Sequence, residues 1–213
     1  MGEVAAVIRR FEPDLALLNE TGPRWRLARL GRALGMQVAR DPWSPLRRRV
    51  PNAVLARPPW RVVRHRLHRF ADVRRPLNPR GAIVAEVHGP DGARLSVCCT
   101  HLGLHPLERL HAVRELLRVC RDGPALVGGD LNELPDGRAV RELRERLTDA
   151  WALVGGEGGE TFPATGPTAR IDYLFVSAGF RVERALVPAV LPEARRASDH
   201  LPLVVDLALP GAG

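Results

Sequence analysis

Apolar residues along the chain recur at two spacings, which predict an alternation of short helices and strands. Apolar positions three or four residues apart predict amphipathic helices over residues 4–11, 24–34, 106–121 and 138–147. Short apolar or alternating runs predict strands at 15–18, 53–56, 83–87, 95–100, 125–128, 171–176 and 203–207. The turn signal Gly-Pro-Asp-Gly at 89–92 joins two of these strands into a predicted hairpin. Hairpins mixed with helical connections favour an α+β fold with helices covering sheets.

One stretch follows neither spacing. Residues 61–79 are rich in arginine, and we expect short strands or loops there. The sequence contains no internal repeat and no linker, so we expect a single domain over residues 1–213, which we also expect to be a monomer.

The charge of the chain leaves two interpretations open. All 32 Lys and Arg residues are arginines, and the net charge is +8. Such usage, with abundant Ala, Gly and Pro, is typical of GC-rich bacterial genomes, so the charge could be compositional. A basic surface also favours anionic partners, including nucleic acid, and the arginines at 47–49 and 61–75 could supply one.

The remaining composition predicts a cytoplasmic protein. The three cysteines, Cys98, Cys99 and Cys120, show no metal-binding spacing, and we expect buried free thiols in a reducing compartment. No apolar run reaches the roughly 18 residues of a membrane span, and the first residues do not resemble a signal peptide.

Polar side chains repeatedly follow the apolar strands, where a rigid scaffold can bring them together. Seven candidate site residues occur in this way: Glu20, His101, Asp130, Asn132, Asp172, Asp199 and His200. Each alone has an ordinary explanation as a turn residue, a helix cap or a satisfied strand-end histidine. As a set they are rich in carboxylates, the hard ligands that suit Mg²⁺ or Mn²⁺ better than Zn²⁺.

The order of these segments resembles the endonuclease/exonuclease/phosphatase superfamily, whose fold is DNase-I-like. The family pattern is a Glu after an apolar strand, then T-H-L, G-D-x-N, R-I-D-Y and S-D-H-x-P. This chain has Asn-Glu at 19–20, Thr-His-Leu at 100–102, Gly-Asp-Leu-Asn at 129–132, Arg-Ile-Asp-Tyr at 170–173 and Ser-Asp-His-Leu-Pro at 198–202. Weaker similarities are N-A-V-L at 52–55, P-R-G-A at 79–82 and T-F-P at 161–163. The resemblance extends from about residue 4 to residue 207.

The resemblance implies a four-layer α/β/β/α sandwich of two mostly antiparallel sheets flanked by helices. It implies metal-dependent hydrolysis of a phosphoester by a nuclease, phosphodiesterase or phosphatase. Glu20 resembles the principal metal ligand, and Asp199 resembles a second carboxylate near the metal. Asp130 resembles the residue that orients or deprotonates the attacking water, and Asn132 its partner on the phosphate oxygens.

The histidines complete the set that the resemblance implies. His200 resembles the imidazole that contacts the phosphate, with Asp172 holding its tautomer. His101 resembles the group that contacts the phosphate or protonates the leaving oxygen. DNA, RNA, sphingomyelin-like lipids and inositol phosphates are all substrates within this family.

The chain departs from the family pattern at its start. The family begins with a strand that carries an Asn, a few dozen residues before the metal-binding Glu. Only nineteen residues precede Glu20 here, and they predict a helix. The first Asn is Asn19, which lies where the family commonly has Gln. We therefore expect an N-terminally truncated domain. Such a truncation could also have removed an export signal. The alternative function is a catalytically impaired phosphate-binding module.

Overall fold

The computed structural model describes residues 2–42, 49–71, 79–120 and 123–211. The helices are α1 (Gly2–Phe11), α2 (Arg24–Leu34), α3 (Pro106–Val119), α4 (Arg138–Arg144), α5 (Ala150–Val154) and α6 (Pro192–Ala197). The strands are β1 (Leu15–Leu18), β2 (Gln37–Arg40), β3 (Ala53–Ala56), β4 (Arg61–Arg69), β5 (Gly81–His88), β6 (Arg94–His101), β7 (Ala125–Asp130), β8 (Thr148–Asp149), β9 (Asp172–Val176), β10 (Arg181–Leu186) and β11 (Val204–Ala208). Among these helices none is both long and apolar enough to cross a membrane.

A six-stranded sheet carries most of the site, with the strand order β4-β5-β6-β7-β9-β8. The predicted hairpin is confirmed, because β5 and β6 pair antiparallel along their whole length. Strand β7 pairs parallel to β6, so the chain must cross over between them, and α3 makes that crossover. Strand β9 then pairs antiparallel to β7.

Two smaller sheets face the first one. One has three strands in the order β1-β3-β2, and the other is the antiparallel pair β10-β11. Within the described ranges, β1 pairs only with β3 and β11 pairs only with β10, so each has one open edge.

Three apolar clusters define the layers. Helices α3 and α4 cover the outer face of the six-stranded sheet, with Leu116 and Leu143 fully buried. A second cluster lies between the sheets and joins Ile83 of β5 to Val54 of β3. In a third, α1 and α2 pack through Ile8 and Leu30, among others, on the outer face of the three-stranded sheet. The predicted four-layer α/β/β/α sandwich is confirmed.

The structure corrects several local expectations. Residues 61–69 form the nine-residue strand β4 rather than short strands or loops, because their backbone pairs with β5 although most of their side chains are exposed or half-exposed. Cys98 and Cys120 form a disulfide, since the crossover brings the end of α3 onto the face of β6 that carries Cys98. Only Cys99 is a free buried thiol, and burial raises its pKa to about 12. The arginines at 47–48 and 74–75 lie outside the described residues.

Candidate active site

Three of the predicted residues lie in one row across the six-stranded sheet. In the strand register, His101 at the end of β6 faces Asp130 at the end of β7, and Asp130 faces Asp172 at the start of β9. Neighbouring strands are about 4.8 Å apart, so this row places the three side chains at one end of the sheet within reach of a single small group. The apolar strands thus position the polar residues that follow them.

His101, Asp130 and Asn132 form a compact cluster. His101 and Asp130 are each 6% exposed, and His101 Nε2 lies 3.2 Å from Asp130 Oδ2. The backbone N–H of Asn132 donates to Asp130 Oδ1 at 2.8 Å, and the side-chain amide of Asn132 donates to the Leu102 carbonyl at 3.0 Å. Asn132 also has a left-handed φ of 49°, a conformation that Asn tolerates better than most residues. These contacts fix the orientation of the Asp130 carboxylate.

Asp172 and His200 form a second pair at the other end of the row. His200 Nδ1 donates to Asp172 Oδ2 at 2.7 Å, and the Thr161 hydroxyl donates to the same oxygen at 2.6 Å. The hydrogen bond to Asp172 outweighs the effect of burial and raises the pKa of His200 to about 9. His200 is therefore mostly an imidazolium at neutral pH, and its Nε2–H is able to donate to an anion.

Glu20 approaches the row from the three-stranded sheet. It follows β1 with a left-handed φ of 50°, and its side chain is 74% exposed. Its Oε1 lies 3.8 Å from Nδ1 of His101, which is buried and has no hydrogen-bond partner among the described residues. The two sheets therefore meet at this point, where an exposed carboxylate faces an unpaired imidazole nitrogen.

Asp199 is exposed and, like Glu20, is held by few side-chain contacts. Its carboxylate accepts a hydrogen bond from the Ser198 hydroxyl at 3.2 Å, and its backbone carbonyl accepts from the Ala164 amide at 2.7 Å. Its charge contributes, after those of Asp172 and Asp130, to the raised pKa of His200. Asp199 thus acts on the site through its negative charge.

Three residues of the site region, Arg80, Asn19 and Asn52, were not predicted to have a role in it. Arg80 directly precedes β5, whose first residue pairs with His101. Burial lowers the pKa of Arg80, and the charges of Asp130 and Glu20 partly oppose that shift, so the guanidinium lies within their field. The P-R-G-A similarity at 79–82 was the available signal for Arg80. Asn19 and Asn52 hydrogen-bond to each other beneath the site.

The candidate ligands suit a hard divalent cation whose shell is completed by water and substrate, rather than one enclosed by protein side chains alone. Among the residues that the structure describes, no group of three or more His, Cys, Asp or Glu side chains could hold a metal ion by itself. Mg²⁺ does not require such a group, because one or two carboxylates, water and substrate phosphate commonly complete its shell. The exposed carboxylate of Glu20, with Asp130 and Asp199 in the same site, fits that arrangement.

Residues 1–200 match the sequence model of the Endonuclease/Exonuclease/phosphatase family. The chain belongs to this family. A search of curated proteins gave no significant match. Among solved structures of similar fold is a conserved protein of unknown function from Enterococcus faecalis, at 19% identity and a TM-score of 0.84, covering 97% of this chain and 89% of that one.

Two further structures of similar fold belong to named proteins. The mannosyl-6-phosphatase of Bacteroides thetaiotaomicron is 20% identical with a TM-score of 0.80, covering 97% of this chain and 89% of that one. The human Nocturnin catalytic domain, solved with a bound sulfate, is 20% identical with a TM-score of 0.72, covering 98% of this chain and 85% of that one. At these identities the likeness shows the DNase-I-like fold of this family member.

Proposed function

We propose that this family member is a divalent-metal-dependent phosphoesterase in which a water molecule attacks phosphorus. The observation that carries the proposal is the row of His101, Asp130 and Asp172 at one end of the sheet. Membership of the Endonuclease/Exonuclease/phosphatase family supports the reaction class. The mannosyl-6-phosphatase among its structural neighbours is consistent with that class.

Mg²⁺ or Mn²⁺ is the cofactor that the donor chemistry favours. Glu20 would be its principal protein ligand, and Asp199 would add a second negative charge close by. When bound, the cation neutralises charge on the phosphate oxygens and acidifies water. The exposure of Glu20 leaves room for the water and substrate ligands that Mg²⁺ normally keeps.

The residues of the row supply the proton transfer and the charge complementarity. Asp130 orients the attacking water and accepts its proton, while Asn132 holds the Asp130 carboxylate through the 2.8 Å bond from its backbone N–H. Because Asp172 occupies Nδ1 of His200, the charged ring presents Nε2–H to a phosphate oxygen. Stabilising the charge that develops on the equatorial oxygens is the main catalytic requirement of phosphoryl transfer.

The remaining nitrogen-bearing side chains of the site contribute to substrate binding in this proposal. His101 contacts the phosphate or protonates the leaving oxygen, since its ring lies against Asp130 and Asn132. Arg80 adds a permanent positive charge within the field of Asp130 and Glu20. The arginine-rich strand β4 lies at the edge of the same sheet, so a polymeric substrate such as nucleic acid is one candidate within the class.

Hydrolysis of simple chromogenic phosphoesters tests the proposal. We expect Mg²⁺-dependent release of p-nitrophenol from bis-p-nitrophenyl phosphate or p-nitrophenyl phosphate, abolished by EDTA and restored by Mg²⁺ or Mn²⁺. Asp130→Asn should lower kcat by about 10²–10⁴-fold, because it removes the general base with little change of shape. Asp136→Asn is the matched control, since Asp136 is exposed on the loop that follows the same strand. Absence of activity towards both esters with either metal would favour the impaired phosphate-binding module.

A further inference from the structure

One side chain, that of Asn19, joins strands from both sheets directly beneath the site. Its Nδ2 donates to the Asn52 Oδ1 at 2.9 Å and to the Thr100 carbonyl at 2.9 Å. Its Oδ1 accepts the backbone N–H of Asp130 at 2.9 Å. Asn19 follows β1 in the smaller sheet, whereas Thr100 and Asp130 belong to β6 and β7 of the larger one. The amide therefore uses both of its donor hydrogens and its acceptor across the junction of the sheets.

The bonds continue into the buried part of the molecule. Asn52, which is fully buried, donates from Nδ2 to the Gly81 carbonyl at 3.0 Å, and the Thr100 hydroxyl donates to the same carbonyl at 3.2 Å. This connects Asn19 to the start of β5, so the network reaches three neighbouring strands of the larger sheet. Hydrogen bonds in such a low-dielectric network reinforce one another and fix the groups that they join.

Gly129 shows how closely the backbone of β7 approaches Thr100 of β6 and the side chain of Asn19. Gly129 has a φ of 130°, and a Cβ at this position would lie 2.0 Å from the Thr100 carbonyl oxygen and 2.8 Å from Asn19 Oδ1. Only glycine adopts this conformation readily, and its lack of a Cβ leaves room for both the Thr100 carbonyl and the Asn19 side chain. The residue that follows Gly129 is Asp130, whose N–H bonds to Asn19.

We propose that Asn19 is the positioning residue that holds the two halves of the site in register. Through its side chain it fixes the backbone of Asp130, and through the chain itself it fixes Glu20, the next residue. A metal ligand from one sheet and a general base from the other are thereby held by a single side chain. This role rests on the phosphoesterase function proposed above. Asn19 then positions the metal-binding region around Glu20.

A purely structural role is the competing explanation, because any buried amide network contributes to stability. Ser177, which directly follows β9, offers a matched control because it also bonds to an amide of β7. Its hydroxyl accepts the N–H of Ala125 at 2.9 Å, at the other end of β7 from Asp130. Ser177→Ala removes a side-chain acceptor from a β7 amide, as Asn19→Ala does, but it does so about 17 Å from the site, from the five-residue separation at 3.3 Å per residue.

Steady-state kinetics and amide NMR of the two variants test the proposal. We expect Asn19→Ala to lower kcat on the order of 10²-fold, as misplacements of about 1 Å can, while KM changes little. Asn19→Gln, which retains both donors and the acceptor, should recover part of kcat, and Ser177→Ala should leave kcat unchanged. The amide resonance of Asn132 and the ring nitrogens of His101, which do not touch Asn19, should shift in Asn19→Ala but not in Ser177→Ala.

Each outcome bears on the role of Asn19 separately from the reaction. An Asn19→Ala protein that is less stable but has the kcat of Ser177→Ala would reduce Asn19 to a structural residue. If Asn19→Ala does not fold, Asn19→Ser takes its place, and a kcat equal to that of Ser177→Ala would overturn the proposal in the same way. If the wild-type chain hydrolyses no phosphoester, unchanged Asn132 and His101 resonances in Asn19→Ala or Asn19→Ser would overturn the positioning role, and shifted ones would support it.

Discussion

The two sides of the sandwich differ in strand length and continuity, and the strands next to the site differ in burial. On one side, β4, β5 and β6 are eight or nine residues long and belong to an unbroken six-stranded sheet, and all but two residues of β6, which ends at His101, are buried. On the other side, β1 and β11 are four and five residues long, and neither contains a buried residue. The longer sheet carries the row of His101, Asp130 and Asp172, whereas Glu20 and His200 come from the loops beside the short strands.

This difference shows how the site combines a rigid part with a less supported one. Edge strands with few buried contacts open locally at low cost in free energy, whereas central strands open only with the whole domain. The groups that must align with the row therefore need specific links to it. Two such links are the hydrogen bonds of Asn19 to β6 and β7 and the bond between His200 and Asp172.

The largest expected effect on stability comes from a buried ion pair at the far edge of the six-stranded sheet. Asp149 has no exposed side-chain surface and accepts from Arg170 at 2.9 Å and Arg144 at 2.6 Å. Asp149→Ala should destabilise the fold by about 3–5 kcal/mol, because it leaves the buried Arg170 without its partner. The free energy of unfolding in urea measures this loss.

The two-stranded sheet supplies the control for that measurement. Asp206 of β11 pairs with Arg184 of β10 at 2.8 Å, but the two side chains are 47% and 62% exposed. Asp206→Ala should cost about 1 kcal/mol or less, as exposed pairs do. Equal losses in the two variants would contradict the contrast drawn between the sheets.

Leucine truncations test whether β1 is as poorly covered in solution as its open edge indicates. Leu116 of α3 is fully buried against the six-stranded sheet, and Leu116→Ala should cost about 2–5 kcal/mol. Leu18 of β1 is only half-buried, so Leu18→Ala should cost roughly 1–2 kcal/mol, since part of its side chain already contacts water. Urea unfolding compares the free energies of unfolding of the two variants. An equal loss would show that Leu18 is as well buried in solution as Leu116.

The sequence predicts the long, apolar part of the fold well because burial leaves a periodic pattern. Helix α2 has the predicted bounds, and β3 and the β5–β6 hairpin occur where expected. Part of the candidate site could also be predicted from the sequence, because Glu20, His101 and Asp130 lie at or just after the ends of apolar strands. Asp172 instead begins a strand, and Asp199 and His200 precede one. That relation is local in sequence although the residues meet from distant parts of the chain.

What could not be predicted depends on contacts rather than on pattern. Strand β4 lies at a sheet edge with mostly exposed or half-exposed arginines and histidines, so its side chains carry no alternation, and only pairing with β5 defines it. The short strands β2 and β10 were missed for a similar reason, because neither is apolar throughout. The bond from Asp130 to Asn19 joins residues 111 positions apart, and no local feature distinguishes Asn19 from a turn residue.

A further effect concerns pH and the link between His200 and Asp172. Because Asp172 raises the pKa of His200 to about 9 from its ordinary 6.5, the charged form stabilises the folded state. That contribution is fully present below about pH 6.5 and is lost as the pH rises through about 9. Asp172→Asn should lower the pKa of His200 towards 6.5, which an NMR titration of the ring measures directly.

Asp199→Asn is the matched control for that titration. Asp199 acts on His200 only through its charge and ranks last among the contributions, so its removal should lower the pKa of His200 by much less than Asp172→Asn does. The stability of Asp172→Asn relative to wild type should also recover between pH 6.5 and 9, because wild type alone loses the contribution of the pair over this window. Equal pKa shifts in the two variants, or a wild-type His200 that titrates near 6.5, would mean that the loop before β11 is not fixed to the six-stranded sheet through this hydrogen bond. The less supported half of the site would then depend on Asn19 for its alignment.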